Sequence, residues 1–272
     1  MSDPLPADVA RALAIALPRL GPFGQVEYFA DVTSTNDLAL ARAVQGAPHG
    51  TVILADTQRA GRGRQGREWF SPPGSGLYLS AIVRREAWDG ALSLVTLAAG
   101  VAVVRGLSAA TGLVLELKWP NDVVIGRPWR KVAGVLSESA SAGSRIDAVV
   151  IGIGVNVRRS AFPAELADRA TAIEMETDRP VDVAACAVEV LAALADVTQR
   201  LGSRDRAGIV AAWRQYGQAG LGGAAVRWND ERGVRRGIAR DVDDAGALVV
   251  DADGQVERLV AGEVLWDRLS RD

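Results

Sequence analysis

Gly61-Arg62-Gly63-Arg64-Gln65-Gly66-Arg67-Glu68-Trp69-Phe70-Ser71-Pro72-Pro73-Gly74 is the stretch on which the choice of fold turns. Its first six residues match the glycine pattern of a dinucleotide-binding turn, which requires a strand before it and a helix opening at the last glycines. The strand is there, as the apolar run Thr51 to Ala55. The helix is not, because Ser71-Pro72-Pro73-Gly74 removes backbone donors and clashes with any preceding helical turn. The segment from Asp56 to Gly76 therefore reads as a long polar loop, and the dinucleotide-binding reading of this motif fails. Arg59, Arg62, Arg64 and Arg67 crowd into this loop beside glycines that let the backbone approach a ligand. That composition suits a segment wrapping an anion such as a triphosphate, and Trp69 offers a flat face for a base. A solvated basic loop would carry the same charges, but the flanking Gln58 and Trp69 favour the binding reading.

Working outward, residues 5–20 read as an amphipathic helix ending at Gly21-Pro22, and Gln25 to Ala30 as a strand. Ser34 and Thr35 are placed to cap a helix through Ala39 to Gln45. Beyond the loop come a strand (Leu77 to Val83), a long helix (Leu92 to Ala110) and a strand from Leu113 to Trp119 stopped by Pro120. Val123 to Ile125 and Lys131 to Ser139 form a hairpin, Asp147 to Val155 a β-branched strand, and 182–201 and 204–216 two helices. Past Gly220-Leu221-Gly222-Gly223 the pattern becomes short strands (225–228, 237–242, 247–250, 256–260) between Asp/Asn/Gly turns, the signature of a small β-barrel. A boundary at about 220 divides the chain into domains 1–220 and 221–272.

A chain of 272 residues with 24% charged and 49% hydrophobic residues is globular and long enough for a sizeable core. The net charge of -2 gives no bulk attraction to nucleic acid or to an anionic membrane. The longest apolar run, Ala91 to Val104, is shorter than the roughly 20 residues of a membrane span. With no cationic stretch at the N-terminus and one cysteine, Cys186, the expectation is a cytoplasmic protein without disulfides. His49 is the only histidine, which argues against serine-histidine, cysteine-histidine and multi-histidine metal chemistry.

Of thirty-one basic residues only Lys118 and Lys131 are lysine, both within Lys118-Trp119-Pro120-Asn121-Asp122 to Lys131-Val132-Ala133-Gly134. A lysine kept against such a bias suits a narrow site where a compact ammonium bridges two oxygens. The scarce asparagines cluster similarly, with Asn36, Asn121 and Asn156 each beside polar or glycine-rich signals. Lys131 opens a hairpin strand and Gly134 follows three residues later, so this strand can be a pocket wall or a plain surface hairpin. Asn121 and Asp122, at the Pro120 break, can equally be turn formers.

Taken together, Ser34-Thr35-Asn36, Gln58 through Trp69, Lys118-Trp119-Pro120-Asn121-Asp122, Lys131-Val132-Ala133-Gly134-Val135-Leu136 and Gly152-Ile153-Gly154-Val155-Asn156 resemble the biotin protein ligase family in order and spacing. The resemblance runs from about Phe29 to Leu269. It implies an α+β fold with a central mixed sheet and flanking helices, akin to class II aminoacyl-tRNA synthetases, plus a C-terminal SH3-like barrel. It also implies a two-step ligase: biotin and ATP with Mg²⁺ give biotinyl-5′-adenylate, and a lysine of a biotin carboxyl carrier domain then takes the biotinyl group. By this resemblance Lys131 bridges the biotin carboxylate and the α-phosphate, Arg62 and Arg64 close over the adenylate, and Trp69 stacks on adenine. Ser34, Thr35, Asn36, Gln58, Gly61, Gly134 and Gly152 line the biotin site, with Arg67, Asn121 and Asn156 on the nucleotide side. Asp122 orients or deprotonates the acceptor lysine, and no metal held directly by the protein is expected. With about one helix before Gly21-Pro22, a DNA-reading helix-turn-helix is not expected, nor are nucleic-acid or membrane partners. A monomer or weak homodimer is expected. The nearest rival is a lipoyl or octanoyl ligase or transferase, against which the arginine-glycine loop and Gln58 argue; a biotin-sensing repressor or non-catalytic adaptor is the rival from another class.

Overall fold

The computed structural model describes residues 2–88, 91–142, 145–231, 233–260, 262 and 264–266. In chain order the elements are α1 (Ala7–Ala16), β1 (Val26–Val32), α2 (Thr35–Val44), β2 (Val52–Gln58), β3 (Gly76–Arg84), α3 (Val95–Thr111), β4 (Glu116–Lys118), β5 (Asp122–Ile125), β6 (Arg130–Ala142) and β7 (Arg145–Asn156). They are followed by α4 (Ile173–Glu176), α5 (Val183–Gly202), α6 (Arg206–Leu221), β8 (Ala225–Asp230), β9 (Gly233–Val242), β10 (Leu248–Ala252), β11 (Gln255–Leu259) and β12 (Val264–Trp266).

Seven strands form a mixed sheet in the order β1-β2-β3-β7-β6-β5-β4, with β1 and β2 parallel and the other neighbours antiparallel. One face carries α2, whose Ala39 and Ala43 pack on Ile53, Ile82, Ala148 and Val150. The opposite face is covered by α1, α3 and α5 around the main core. The helices α3 and α5 pack closely at Gly106, where a Cβ would fall 2.5 Å from the Val190 backbone. The remaining strands form a second, antiparallel sheet, β11-β10-β9-β8-β12. It packs against the rest of the fold through Arg214 of α6 to Asp241 (2.8 Å), the Trp119 indole N–H to the Gly246 carbonyl (3.0 Å), and an edge-to-face pair of Trp129 and Trp266.

Several expectations need correction. The N-terminal helix is shorter than 5–20, because Pro18 and Pro22 break the continuation into 3-10 turns at Leu17–Arg19 and Gly21–Gly24. At α2, Ser34 alone is the cap, accepting from the Asp37 N–H at 3.4 Å, and Thr35 is already helical. The strand expected over Leu113 to Trp119 shrinks to β4, since its only neighbour in the sheet is the four-residue β5. The apolar run behind α3 extends helically from Leu92 to Thr111, 20 residues, so length alone does not exclude a membrane span. Burial speaks for a core helix: 67% of its most apolar 18-residue stretch is buried within the protein itself.

Candidate active site

The start of α2, the end of β2 and the middle of β3 meet in a polar floor. The Thr35 N–H and hydroxyl both donate to Gln58 Oε1, at 2.9 and 3.0 Å. Gln58 Nε2 donates to Ser71 Oγ at 2.8 Å, and Ser71 Oγ donates back to the Trp69 carbonyl at 3.0 Å. Ser80 Oγ lies within hydrogen-bond distance of both Asn36 Oδ1 (2.6 Å) and Thr35 Oγ1 (2.8 Å). Thr35, Asn36, Ser71 and Ser80 are all buried, so each bond is made in a medium that strengthens it and the floor is rigid.

Beside the floor, β6 and β7 present bare backbone. Gly134 and Gly154 face each other in register. A Cβ on Gly154 would fall 2.4 Å from the Trp69 ring, one on Gly134 2.9 Å from Lys131 Cε and Nζ, and one on Gly152 2.1 Å from Asn36 Oδ1. The glycines thus form a trough that holds the indole of Trp69 and the stem of Lys131.

Lys131 reaches this trough because β6 is bulged. Val123 pairs with Ala133 but Val124 with Lys131, leaving Val132 as the extra residue. Val132 and Ala133 both sink into the core, so Lys131 lies on the same face as Gly134. Its ammonium is 2.5 Å from Asp122 Oδ1 and 5.1 Å from the Trp69 ring centroid. Its backbone is held by the Arg169 carbonyl and the Thr171 N–H at 2.8 and 2.9 Å. Lys118 stands opposite Asp122 in the β4–β5 pairing. Burial lowers its ammonium below the ordinary lysine range, with Lys131 and Arg67 adding to the effect and Asp122 opposing it.

The arginines of the loop differ in their partners. Arg59 pairs with Asp31 at 3.1 Å, and Arg62 with both Asp37 (2.6 Å) and Glu138 (2.8 Å). Arg64 is half-buried and donates to neutral oxygens, Asn121 Oδ1 at 3.3 Å and the Gly262 carbonyl at 3.1 Å. Burial accordingly lowers its guanidinium from the usual arginine range, against the pull of Asp122. A partly desolvated cation resting on neutral acceptors can take up an anion without first giving up a carboxylate at those two contacts.

The structure brings Ser34, Thr35, Asn36, Gln58, Arg62, Arg64, Trp69, Asn121, Lys131, Gly134 and Gly152 around one cleft. Gly61, Arg67, Asp122 and Asn156 stand outside that lining. Gly61 lies beneath the loop, bonded through its carbonyl to the Trp69 N–H at 2.8 Å. Asn156 directs its amide to the Thr171 and Lys131 carbonyls, at 3.0 and 3.4 Å. Sequence reasoning missed Glu138, Ser71, Ser80 and Gly154; of these Gly154 lay inside the Gly152–Asn156 motif and Ser71 at the end of the arginine-glycine loop, where it reads only as a helix-breaking neighbour of Pro72. A larger hollow of about 650 Å³ at Arg84, Glu86 and Arg145 is shallow and carries none of these features.

Residues 28–156 match the biotin/lipoate A/B protein ligase family and residues 222–265 the biotin protein ligase C-terminal domain. The chain is 35% identical over 260 residues to the biotin--[acetyl-CoA-carboxylase] ligase of Mycobacterium tuberculosis, covering 89% of this chain and 88% of that one. It is 33% identical over 245 residues to the bifunctional ligase/repressor BirA of Bacillus spizizenii, covering 89% and 74%. Its fold superposes with a TM-score of 0.77 on the biotin protein ligase from Aquifex aeolicus in complex with biotin and ATP, at 27% identity over 90% of this chain and 99% of that one. Because the relatives span the mixed sheet with its cleft and the small C-terminal sheet alike, the chain belongs to the biotin protein ligase family.

Proposed function

We propose that this cleft joins biotin to ATP and then passes the biotinyl group to a lysine of a biotin carboxyl carrier domain. ATP-dependent protein biotinylation is the activity of the family, and the observation that supports it here is Lys131, laid along the glycine trough between Asp122 and the arginine loop. A biotin carboxylate oxygen attacks the α-phosphorus and pyrophosphate leaves. The acceptor amine then attacks the acyl carbon, AMP leaves with the bonding pair, and the amine loses a proton. In the first step the Lys131 ammonium, leaving Asp122, lies between carboxylate and phosphate and offsets the charge that develops there. In the second, the released Asp122 carboxylate orients the acceptor amine and takes its proton.

Ser34, Thr35, Asn36 and Gln58, with the backbone at Gly61, Gly134 and Gly152, form the biotin side. Arg64, Arg67, Trp69 and Asn121 form the nucleotide side, with Arg62 closing the loop between the two. Asn156 acts through the main chain of Lys131. Among the described residues no cluster of three or more His, Cys, Asp or Glu side chains is ready to hold a metal. Magnesium would therefore enter on the ATP phosphates, whose charge it neutralises. We place the division between the two domains at about residue 220, at the C-terminal end of α6. The chain is proposed to work in the cytoplasm as a monomer or weak homodimer, on the carrier domain of an acyl-CoA carboxylase such as acetyl-CoA carboxylase, with no nucleic-acid or membrane partner.

Incubation with ATP, Mg²⁺, biotin and a biotin carboxyl carrier domain is expected to add one biotinyl group to the carrier by mass spectrometry. Lipoate in place of biotin is expected to add nothing. Modification by lipoate instead would turn the assignment toward the lipoyl ligases.

The cleft encloses about 50 Å³ of open space, far below the roughly 300–1,000 Å³ usual for ligand pockets. Trp69 fills the trough, so ligand entry must displace its ring. Biotin with ATP is expected to change the intrinsic tryptophan fluorescence, and Trp69→Phe to remove most of that change. An unaltered response in the variant would show that the indole stays where it is.

A further inference from the structure

We propose that Glu138 is a positioning residue that staples the arginine loop to the floor of the cleft and sets how fast biotin enters and leaves. Glu138 lies on β6, 76 residues from Arg62 and 102 from Asn36, yet one carboxylate oxygen accepts from both, at 2.8 and 2.7 Å. Asn36 is fixed in its turn by Ser80 and by the bare backbone of Gly152. Asp37, one residue along α2, holds the same Arg62 nitrogen at 2.6 Å. The loop residue that covers the cleft is thus tied, through a single oxygen, to the asparagine beneath it.

Two carboxylates satisfy the charge of Arg62, which separates it from Arg64 with its neutral partners. In the division this implies, Arg64 receives the ligand anion and Arg62 holds the cover shut. With about 50 Å³ open in the cleft, biotin enters only as the walls move, and in this reading the Arg62 contacts break at entry and re-form afterwards. Because the staple is present in the closed state both before and after binding, loosening it favours the open state in each case. Association and dissociation should then quicken together while their ratio stays nearly constant. A side chain that touched biotin itself would change the affinity instead.

Glu138→Gln isolates this role, because the amide oxygen still accepts from Asn36 while the charge facing Arg62 is lost. Stopped-flow biotin binding is expected to show both rate constants raised about tenfold, the loss expected for one charge-assisted hydrogen bond, with Kd within about threefold of the parent. Trypsin, which cuts after Arg62 and Arg64, should nick the unliganded variant about tenfold faster. Arg62→Gln removes the Asp37 pair together with the Glu138 one, so it should quicken both rates at least as much, and adding Glu138→Gln to it should bring no further acceleration. A change in Kd carried by one rate constant, parent-like nicking, or multiplying effects in the double variant would each overturn the staple. The proposal rests on the cleft being the biotin site, but nicking of the unliganded protein does not, so failure of the two readings can be told apart.

Discussion

Lys131→Ala is expected to abolish biotin-dependent exchange of pyrophosphate into ATP, a fall of at least about 10²–10³-fold, the usual loss when a fixed electrostatic stabiliser is removed from a transition state. Lys131→Arg is expected to recover little of it. The reason lies in the space available. The lysine stem runs along Gly134, where even one added carbon would stand 2.9 Å from its Cε and Nζ, under the ring of Trp69 and against Asp122. A planar guanidinium needs more width than this trough offers, and its fork would carry the charge past the point where carboxylate and phosphate meet. Near-parental exchange by the arginine variant would mean that any cation suffices here and that the two-lysine composition has no bearing on the chemistry.

The second large effect belongs to Arg64→Gly. Lys131 remains in place, so the adenylate should still form, but its hold on the enzyme should weaken. Arg64 couples the loop to Asn121 and to the Gly262 carbonyl between β11 and β12, both neutral acceptors. Losing one charged hydrogen bond of about 1.5–3 kcal/mol corresponds to a roughly ten- to hundredfold faster escape of biotinyl-adenylate. The readouts are the half-life of the enzyme-bound intermediate and biotin appearing on lysines of an added bystander protein. Unchanged values for both would move the retention role to Arg62 or Arg67.

Much of this arrangement is visible in the sequence because motif residues advertise themselves locally. Proline pairs break helices, glycines mark close approaches, and Ser34 caps the helix that carries Thr35 and Asn36. The supporting residues carry no such mark. Glu138 and Ser80 read as ordinary strand positions, and their meaning comes from partners 102 and 44 residues away that only the sheet order brings near. Asn156 differs again: a scarce residue in a motif, it donates its amide to the Thr171 carbonyl and to the Lys131 carbonyl, which also accepts from the Thr171 N–H, because a buried amide is most stable with its donors bonded. The strand β12 escaped notice for want of length. Its three residues hold their place by pairing with β8, an arrangement no local pattern announces.

The bulge at Val132 turns a count of residues into a working part. Side chains on a strand alternate between faces, so Gly134 and Lys131, three positions apart, would ordinarily point in opposite directions. They share a face because one residue between them is left unpaired. Shortening this interval by one residue would restore regular alternation. The chain would then have to choose between a buried ammonium with an empty cleft and a slip of β6 that drags Gly134 and Glu138 away from Trp69 and Arg62. Val132 and Ala133 can therefore vary in kind, within the limits of the core, far more freely than the interval can vary in length. In a collection of working variants of this chain, substitutions would accumulate across these positions while insertions and deletions stayed out.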